Sequence, residues 1–211
     1  MAENLNENLD NVINELREKI KEAPENVLLH HHLGLVYMRQ GKTDDAIASL
    51  EKALEIDPLS TESLINLGAI HFGMGDIEKA QKLNEKAIGI ASESAQAYAN
   101  LGLIWQHKND LQKALENYEA ATRFDPKLAS AWMNLTSVLT MLGEDERALQ
   151  AARKGVELEP DSPLAQNNLA VAFYFSNDFK KSKQHMDKAQ ELGYNVEPNF
   201  KESLAQKLAE L

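Results

Sequence analysis

The stretch HLGLVYMRQGKTDDAIASLEKALEIDP, residues 32–58, contains a pattern that recurs along the chain. Two helix-compatible runs flank Gly41, and the stretch ends at Pro58. The segment AYANLGLIWQHKNDLQKALENYEAATRFDP, residues 97–126, repeats the same order. The prolines of the series are separated by 34, 68 and 34 residues, and they are Pro24, Pro58, Pro126 and Pro160, with Ser92 at the missing position. A fixed period of this kind predicts stacked, similar structural units.

Several other residue types recur at the same spacing of 34 residues. A leucine column comprises Leu33, Leu67, Leu101, Leu135 and Leu169. Three columns of mostly small residues are Gly34, Gly68, Gly102, Thr136 and Ala170; Ala46, Ala80, Ala114, Ala148 and Ser182; and Ala53, Ala87, Ala121, Gly155 and Ala189. The large residues of a further column are Tyr37, His71, Trp105, Leu139 and Phe173. Because packed interiors leave few voids, this alternation predicts helices in close contact at the small columns.

A glycine or an asparagine lies between the two helical runs of each period, and these residues are Gly41, Gly75, Asn109, Gly143 and Asn177. Both residues tolerate the left-handed conformation that ends a helix. The prolines then end the second helix of each period because proline cannot continue the hydrogen-bond ladder. Ser162 and Pro163 together form a favourable helix start. Each period therefore predicts a helix, a turn and a second helix.

The quoted segments resemble the tetratricopeptide repeat. The resemblance implies an all-α fold, a right-handed superhelical solenoid of helix-turn-helix units with a concave inner groove. It covers five units, which are expected at 27–60, 61–94, 95–128, 129–162 and 163–194. The fifth unit departs most from the pattern, at Gln166, Ser182 and Tyr194.

The two ends are expected to be single helices. Residues 1–26 form an N-terminal half-repeat whose helix spans 5–22, with an apolar side of Leu5, Leu9, Val12, Leu16 and Ile20. This helix either caps its own chain or docks on a neighbouring molecule. Residues 195–211 contain a C-terminal capping helix from Pro198 to Leu211, with Phe200, Leu204, Leu208 and Leu211 on one side.

The composition excludes several classes of function. The net charge of −11 disfavours nucleic-acid binding and adhesion to anionic membranes, because both depend on positive charge. No stretch approaches the roughly 20 apolar residues of a membrane span. The absence of cysteine excludes disulfides and thiolate metal sites. The N-terminal stretch lacks the pattern of a secretory signal, and we expect a cytoplasmic protein.

No residue constellation predicts catalysis, a metal site or a bound cofactor. His30, His31 and His32 are consecutive, so a helix directs them to different sides rather than to one ligand face. His30 and His71 fall in packing columns. The acidic pairs, such as Asp44 with Asp45, lie at starts of second helices, where negative charge complements the helix dipole. We therefore expect a protein that is not an enzyme.

The first helix of each unit lines the concave groove in the family that the sequence resembles. One column on that face comprises His32, Asn66, Asn100, Asn134 and Asn168. Asparagine offers both a donor and an acceptor, and regularly spaced asparagines suit an extended peptide backbone. Neighbouring apolar positions, expected to receive partner side chains, include Leu35, Ile65, Leu103, Met133 and Val171.

The resemblance therefore implies a non-catalytic scaffold that binds an extended peptide or a partner protein in its groove. Family members that bind acidic chaperone tails use cationic clamp residues. The matching register here holds His31, Leu35, Asn66, Gln96 and Asn100, without a lysine or arginine, so such tails are disfavoured. Two alternatives remain: a self-assembling scaffold, as among magnetosome-associated members of the family, or an accessory subunit docked on an enzyme complex.

Overall fold

The computed structural model describes the backbone of residues 2–210 and the side chains of residues 8–210. Within these residues the chain forms twelve α-helices and no strand, so the predicted all-α class is confirmed. The helices are α1 Ala2–Glu22, α2 Val27–Arg39, α3 Thr43–Ile56, α4 Thr61–Gly73, α5 Ile77–Ile90, α6 Ala95–His107, α7 Leu111–Phe124, α8 Ala129–Met141, α9 Asp145–Leu158, α10 Pro163–Phe175, α11 Phe179–Glu191 and α12 Pro198–Ala209. The side chains of Leu5 and Leu211, both assigned above to apolar helix faces, lie outside the described residues.

The chain divides into two compact units, each of which contains several repeats, and they are Met1–Ile104 and Trp105–Leu211. The terms first unit and second unit refer below to these two parts and not to single repeats. In the first unit each helix from α1 to α4 packs against the next one along the chain, through α5. In the second unit the same sequential packing runs from α7 to α12, and α10 also contacts α8. Each unit is therefore built from consecutive antiparallel helix pairs, as the repeated sequence pattern predicts.

The turn within each pair depends on one residue with positive φ. Gly41, Gly75 and Gly143 have φ between 71° and 83°, and Asn109 and Asn177 have φ of 60°. These five residues are the predicted turn column, and their conformation is one that most side chains avoid. The prediction that these residues adopt the left-handed conformation in the turns is confirmed.

Aspartates begin three of the second helices. Asp76, Asp110 and Asp178 each accept a hydrogen bond from the backbone N–H three residues later, at 3.1–3.2 Å. This contact satisfies one of the free N–H groups at the start of α5, α7 and α11. Ser162 similarly caps α10, which begins at Pro163 as predicted.

The small columns lie in the interior of each unit. Ala46, Ala80 and Ala114 are fully buried, as are Ala53 and Ala87. At Gly34 the approach of α2 to α3 is so close that an added Cβ would lie 2.7 Å from Leu50 Cγ. Larger residues at these positions would separate the paired helices.

The helix α1 packs on α2 of its own chain. Ile13 is only 4% exposed and joins a core cluster with Leu33 and Tyr37. Arg17 Nη2 donates a hydrogen bond of 2.7 Å to the Tyr37 hydroxyl, and its guanidinium lies over the Tyr37 ring. At the other end α12 packs on α11, and Leu204 is completely buried.

Candidate functional site

Charge is distributed unevenly between the two kinds of helix. The first helices of the pairs, α2, α4, α6, α8 and α10, carry only two charged residues, Arg39 and Glu62. The second helices carry far more charge; α3 alone has five charged residues, Asp44, Asp45, Glu51, Lys52 and Glu55. A partner that contacts the first helices therefore meets a neutral surface inside a strongly acidic protein.

The second unit has a cleft of about 330 Å³ between α8 and α10. Its lining residues are Met133, Asn134, Thr136, Ser137, Thr140, Met141, Leu164, Asn167, Asn168, Val171 and Tyr194. None of them is Asp, Glu, Lys or Arg. The volume lies at the lower end of the range of ligand sites in proteins, and the lining combines polar side chains with the apolar Met133, Met141, Leu164 and Val171.

The amides in this cleft differ in whether the protein already uses them. Asn168 Nδ2 donates a hydrogen bond of 3.0 Å to the carbonyl oxygen of Met133, which ties α10 to α8. Asn134 and Asn167 make no side-chain hydrogen bond to the described part of the chain. Both are half-buried, so two amide groups, each with a donor and an acceptor, remain available in the cleft.

The two threonines of the cleft bond to their own helix. Thr136 Oγ1 donates to the carbonyl oxygen of Trp132, and Thr140 Oγ1 donates to that of Thr136, each at 2.9 Å. Exposed apolar side chains are also present, since Met141 is 58% exposed and Leu164 is 38% exposed.

The first unit has a smaller pocket at the corresponding position between α4 and α6. It measures about 120 Å³ and is lined by Gly68, Ala69, Phe72, Asn84, Asn100, Leu103 and Ile104. Asn100 Nδ2 donates to Asn84 Oδ1 at 3.0 Å, and Asn84 Nδ2 donates to the carbonyl oxygen of Ala80 at 2.8 Å. The Asn100 amide therefore anchors α6 on α5 as well as lining the pocket.

The predicted groove residues are distributed over several surfaces. Asn134, Asn168, Met133 and Val171 line the α8/α10 cleft, and Asn100 and Leu103 line the α4/α6 pocket. His32 and Leu35 line a third cleft, of about 270 Å³, between α1 and α2. Two of these three cavities belong to the first unit, and one belongs to the second unit.

Three predicted residues are placed less favourably for binding. Ile65 and Met133 are 9% and 8% exposed, because each packs in a core cluster between neighbouring helices. Little of either side chain is left for a partner to contact. Asn66 makes no side-chain hydrogen bond within the described chain, and it lines neither the α8/α10 cleft nor the α4/α6 pocket.

Sequence reasoning missed Asn167, Ser137 and Tyr194 in the α8/α10 cleft. A signal for Asn167 is present in the sequence. Its column otherwise holds His31, Ile65, Ala99 and Met133, all buried. Asn167 differs from these residues because it is polar and half-buried, and its polar side chain in a packing column could have marked it as a functional residue.

Three histidines, His31, His71 and His185, are buried or half-buried among other side chains. His31 Nδ1 lies 3.0 Å from Ser63 Oγ, and His185 Nδ1 lies 2.7 Å from Gln166 Oε1. Burial lowers the pKa of both imidazoles. His71 is 5% exposed, and neither ring nitrogen has a hydrogen-bond partner. Among the described residues, no three His, Asp or Glu side chains are grouped to hold a metal ion.

Comparison with known proteins identifies the repeat. Tetratricopeptide repeat models match residues 24–93 and 95–128. Together with the helix pairs and the structural neighbours, these matches place the chain in the tetratricopeptide repeat family. Comparison with curated proteins gives no match. No helix of the described chain is long and apolar enough to cross a membrane.

Solved structures of repeat proteins share the fold. MamA is 23% identical, with a TM-score of 0.63, over 81% of this chain and 96% of that one. YrrB, described as a repeat protein of this family with an unusual peptide-binding site, is 19% identical, with a TM-score of 0.64, over 93% and 98%. A chain in the structure of the APC/C hetero-tetramer Cut9–Hcn1 is 17% identical, with a TM-score of 0.82, over 96% of this chain and 40% of that one. At these identities the likeness concerns the fold alone.

Proposed function

We propose that this protein is a non-catalytic scaffold that binds an extended, uncharged segment of a partner protein in the α8/α10 cleft. The observation that carries the proposal is the pair Asn134 and Asn167, whose amides are half-buried and unpaired in a cleft without a charged residue. The solved structure of YrrB, whose description includes a peptide-binding site, supports this use of the fold.

The chemistry of the cleft favours a peptide backbone. Each free asparagine amide can donate to a peptide carbonyl and accept from a peptide N–H. An extended segment presents both groups regularly, whereas a helix or sheet has already used them. Met141, Leu164 and Val171 supply apolar surface for the side chains between these contacts. Such recognition depends on shape and neutral hydrogen bonds, which agrees with the lack of charge on α8 and α10.

The test compares two pairs of asparagines. Peptides that bind the full chain are first selected from a random library, and their affinities are measured by fluorescence anisotropy. The variant Asn134→Ala/Asn167→Ala should bind at least roughly tenfold more weakly, since each lost hydrogen bond is worth about 0.5–1.5 kcal/mol. The matched control is Asn11→Ala/Asn14→Ala, which removes two exposed amides from α1.

The outcome that refutes the proposal is equal affinity of the Asn134→Ala/Asn167→Ala variant and the wild type for every selected peptide. Circular dichroism of each variant should match the wild type, so that a loss of binding reports on the cleft rather than on folding. A cytoplasmic location and the absence of catalytic activity belong to this proposal as expectations. Sizing by light scattering at several concentrations would separate it from a self-assembling scaffold.

A further inference from the structure

We infer that the α4/α6 pocket of the first unit is a specificity pocket that admits one leucine-sized aliphatic side chain of a protein partner. The pocket is distinct from the α8/α10 cleft and is formed entirely within residues 68–104. The inference adds to the proposed function, because it assigns a second site and states which side chain that site selects.

The size of the pocket sets the size of the occupant. An engineered cavity of about 150 Å³ holds a benzene molecule of six carbon atoms, so a pocket of about 120 Å³ has room for a group of about four carbon atoms. A leucine side chain contains four carbon atoms and matches this space. A tryptophan or a folded helix is too large, and a drug-sized ligand usually needs at least roughly 300 Å³.

The lining sets the chemistry of the occupant. Phe72, Leu103 and Ile104 form apolar walls, and Leu103 is 39% exposed at the surface. No lining residue is ionisable at neutral pH. A lysine or glutamate side chain would lose its hydration on entry and gain no opposite charge, so the pocket disfavours charged occupants. An aliphatic side chain gains by leaving water.

Gly68 and Asn84, at the base of the pocket, explain why a pocket exists here. Asn84 is fully buried, and a Cβ added at Gly68 would lie 2.5 Å from Asn84 Nδ2. The hydrogen bonds to Asn100 and to the Ala80 carbonyl hold this amide in place. Glycine at position 68 therefore leaves room for the Asn84 side chain and for the pocket beside it. The Asn84 amide already has hydrogen-bond partners for its nitrogen and its oxygen before any ligand enters.

The variant that tests the inference fills the pocket from its rim. Ala69 is exposed on α4 and lines the pocket, so Ala69→Leu places three additional carbon atoms there without disturbing the core. A second variant, Leu103→Gln, keeps the wall's length but removes its apolar character. The matched control is Ala48→Leu, the same change at an exposed position on α3.

The probes are capped single amino acids, N-acetyl-leucine methylamide and its lysine and glutamate counterparts, added to the full chain. Nuclear magnetic resonance follows the methyl groups of Leu103 and Ile104. We expect saturable shifts with the leucine probe and none with the charged probes. The leucine affinity should fall at least roughly tenfold in Ala69→Leu and weaken in Leu103→Gln, and it should be unchanged in Ala48→Leu.

Absence of shifts with the leucine probe overturns the inference, as do equal shifts with the lysine or glutamate probe. Unchanged leucine affinity in both Ala69→Leu and Leu103→Gln also overturns it. If one of the two variants folds poorly, unchanged affinity in the other overturns the inference. These results are independent of Asn134 and Asn167, so failure of the pocket and failure of the proposed peptide cleft are distinguishable.

Discussion

Gln166 Nε2 lies 2.6 Å from the carbonyl oxygen of Pro160 and donates a hydrogen bond to it. The same contact recurs at two equivalent places in the repeat. His30 Nε2 lies 2.8 Å from the Pro24 carbonyl oxygen, and Trp132 Nε1 donates to the Pro126 carbonyl oxygen at 2.9 Å. Three different side chains thus connect a first helix to the proline loop before it. Gln166 departs from the family pattern, but it makes the same interaction as His30 and Trp132 with a different type of side chain.

Gln166→Leu should lower the free energy of unfolding, although Leu64 occupies the equivalent position in the second repeat. Gln166 is 1% exposed and also pairs with His185 Nδ1, so the substitution removes two hydrogen bonds, one to the Pro160 carbonyl oxygen and one to the half-buried His185. The expected loss is about 1–3 kcal/mol. Urea denaturation measures it. The control, Gln184→Leu on the exposed face of α11, should change stability little, and equal stabilities for both variants would contradict this account of the loop contact.

Two glycine-to-alanine substitutions in the first unit should have opposite signs. Gly34→Ala places a Cβ 2.7 Å from Leu50 Cγ and 3.3 Å from the Ala46 carbonyl oxygen, and overpacking of this kind costs about 1–3 kcal/mol. Gly89→Ala meets no atom within 4 Å on exposed α5 and should stabilise the helix by about 0.5–1 kcal/mol. Thermal and urea unfolding of both variants check the prediction. Destabilisation by Gly89→Ala, or none by Gly34→Ala, would mean that the helix spacing differs from this description.

The stability of the protein should fall as pH falls below about 7, partly because of His71. Burial is the main cause that lowers the His71 pKa, the nearby Lys79 adds to it, and Asp76 and Glu51 oppose it. The unfolded chain, with a histidine pKa near 6.5, takes up the proton first. The contribution of neutral His71 to the free energy of unfolding is therefore fully present above about pH 6.5, and it is lost as the pH falls toward the lower pKa of the folded state.

His71→Phe should reduce this pH dependence because it removes the group that must be neutral to remain buried. Phe173 occupies the equivalent column position in the fifth repeat and is 5% exposed, so the ring is compatible with this packing. Urea unfolding at about pH 7 and pH 5 measures the difference. His107→Phe, at an exposed site, serves as the control. If the wild type and His71→Phe lose equal stability on acidification, His71 does not contribute to it.

Local features of this fold could be predicted from sequence because they depend on the preferences of single residues. The positive φ values of Asn109 and Asn177 follow from the tolerance of asparagine for that conformation. Pro58 and Pro126 follow α3 and α7 by two residues for a similarly local reason. A spacing of 34 residues then repeats each local feature.

The site could be predicted only in part because its chemistry depends on contacts distant in sequence. The side chain of Asn168 donates to the Met133 carbonyl, 35 residues away, and Asn100 donates to Asn84. Neither contact can be inferred from a column of asparagines, in which all members look alike. The burial of Ile65 likewise depends on Ala87 and Ala97 from neighbouring helices. Only the three-dimensional packing separates Asn134 and Asn167, which are free, from the asparagines that hold helices together.

The central claim is that a partner segment binds the free amides of the α8/α10 cleft, and side-chain amide resonances test it most directly. A selected peptide is titrated into the ¹⁵N-labelled full chain at low and at high salt. We expect the side-chain NH₂ signals of Asn134 and Asn167 to shift with a common affinity that changes little with salt, because no charged group lines the cleft. The signals of Asn11 and Asn14 should stay in place. Tight binding that leaves the Asn134 and Asn167 signals unmoved, or binding that collapses at high salt, would contradict the claim and assign recognition to the acidic surface.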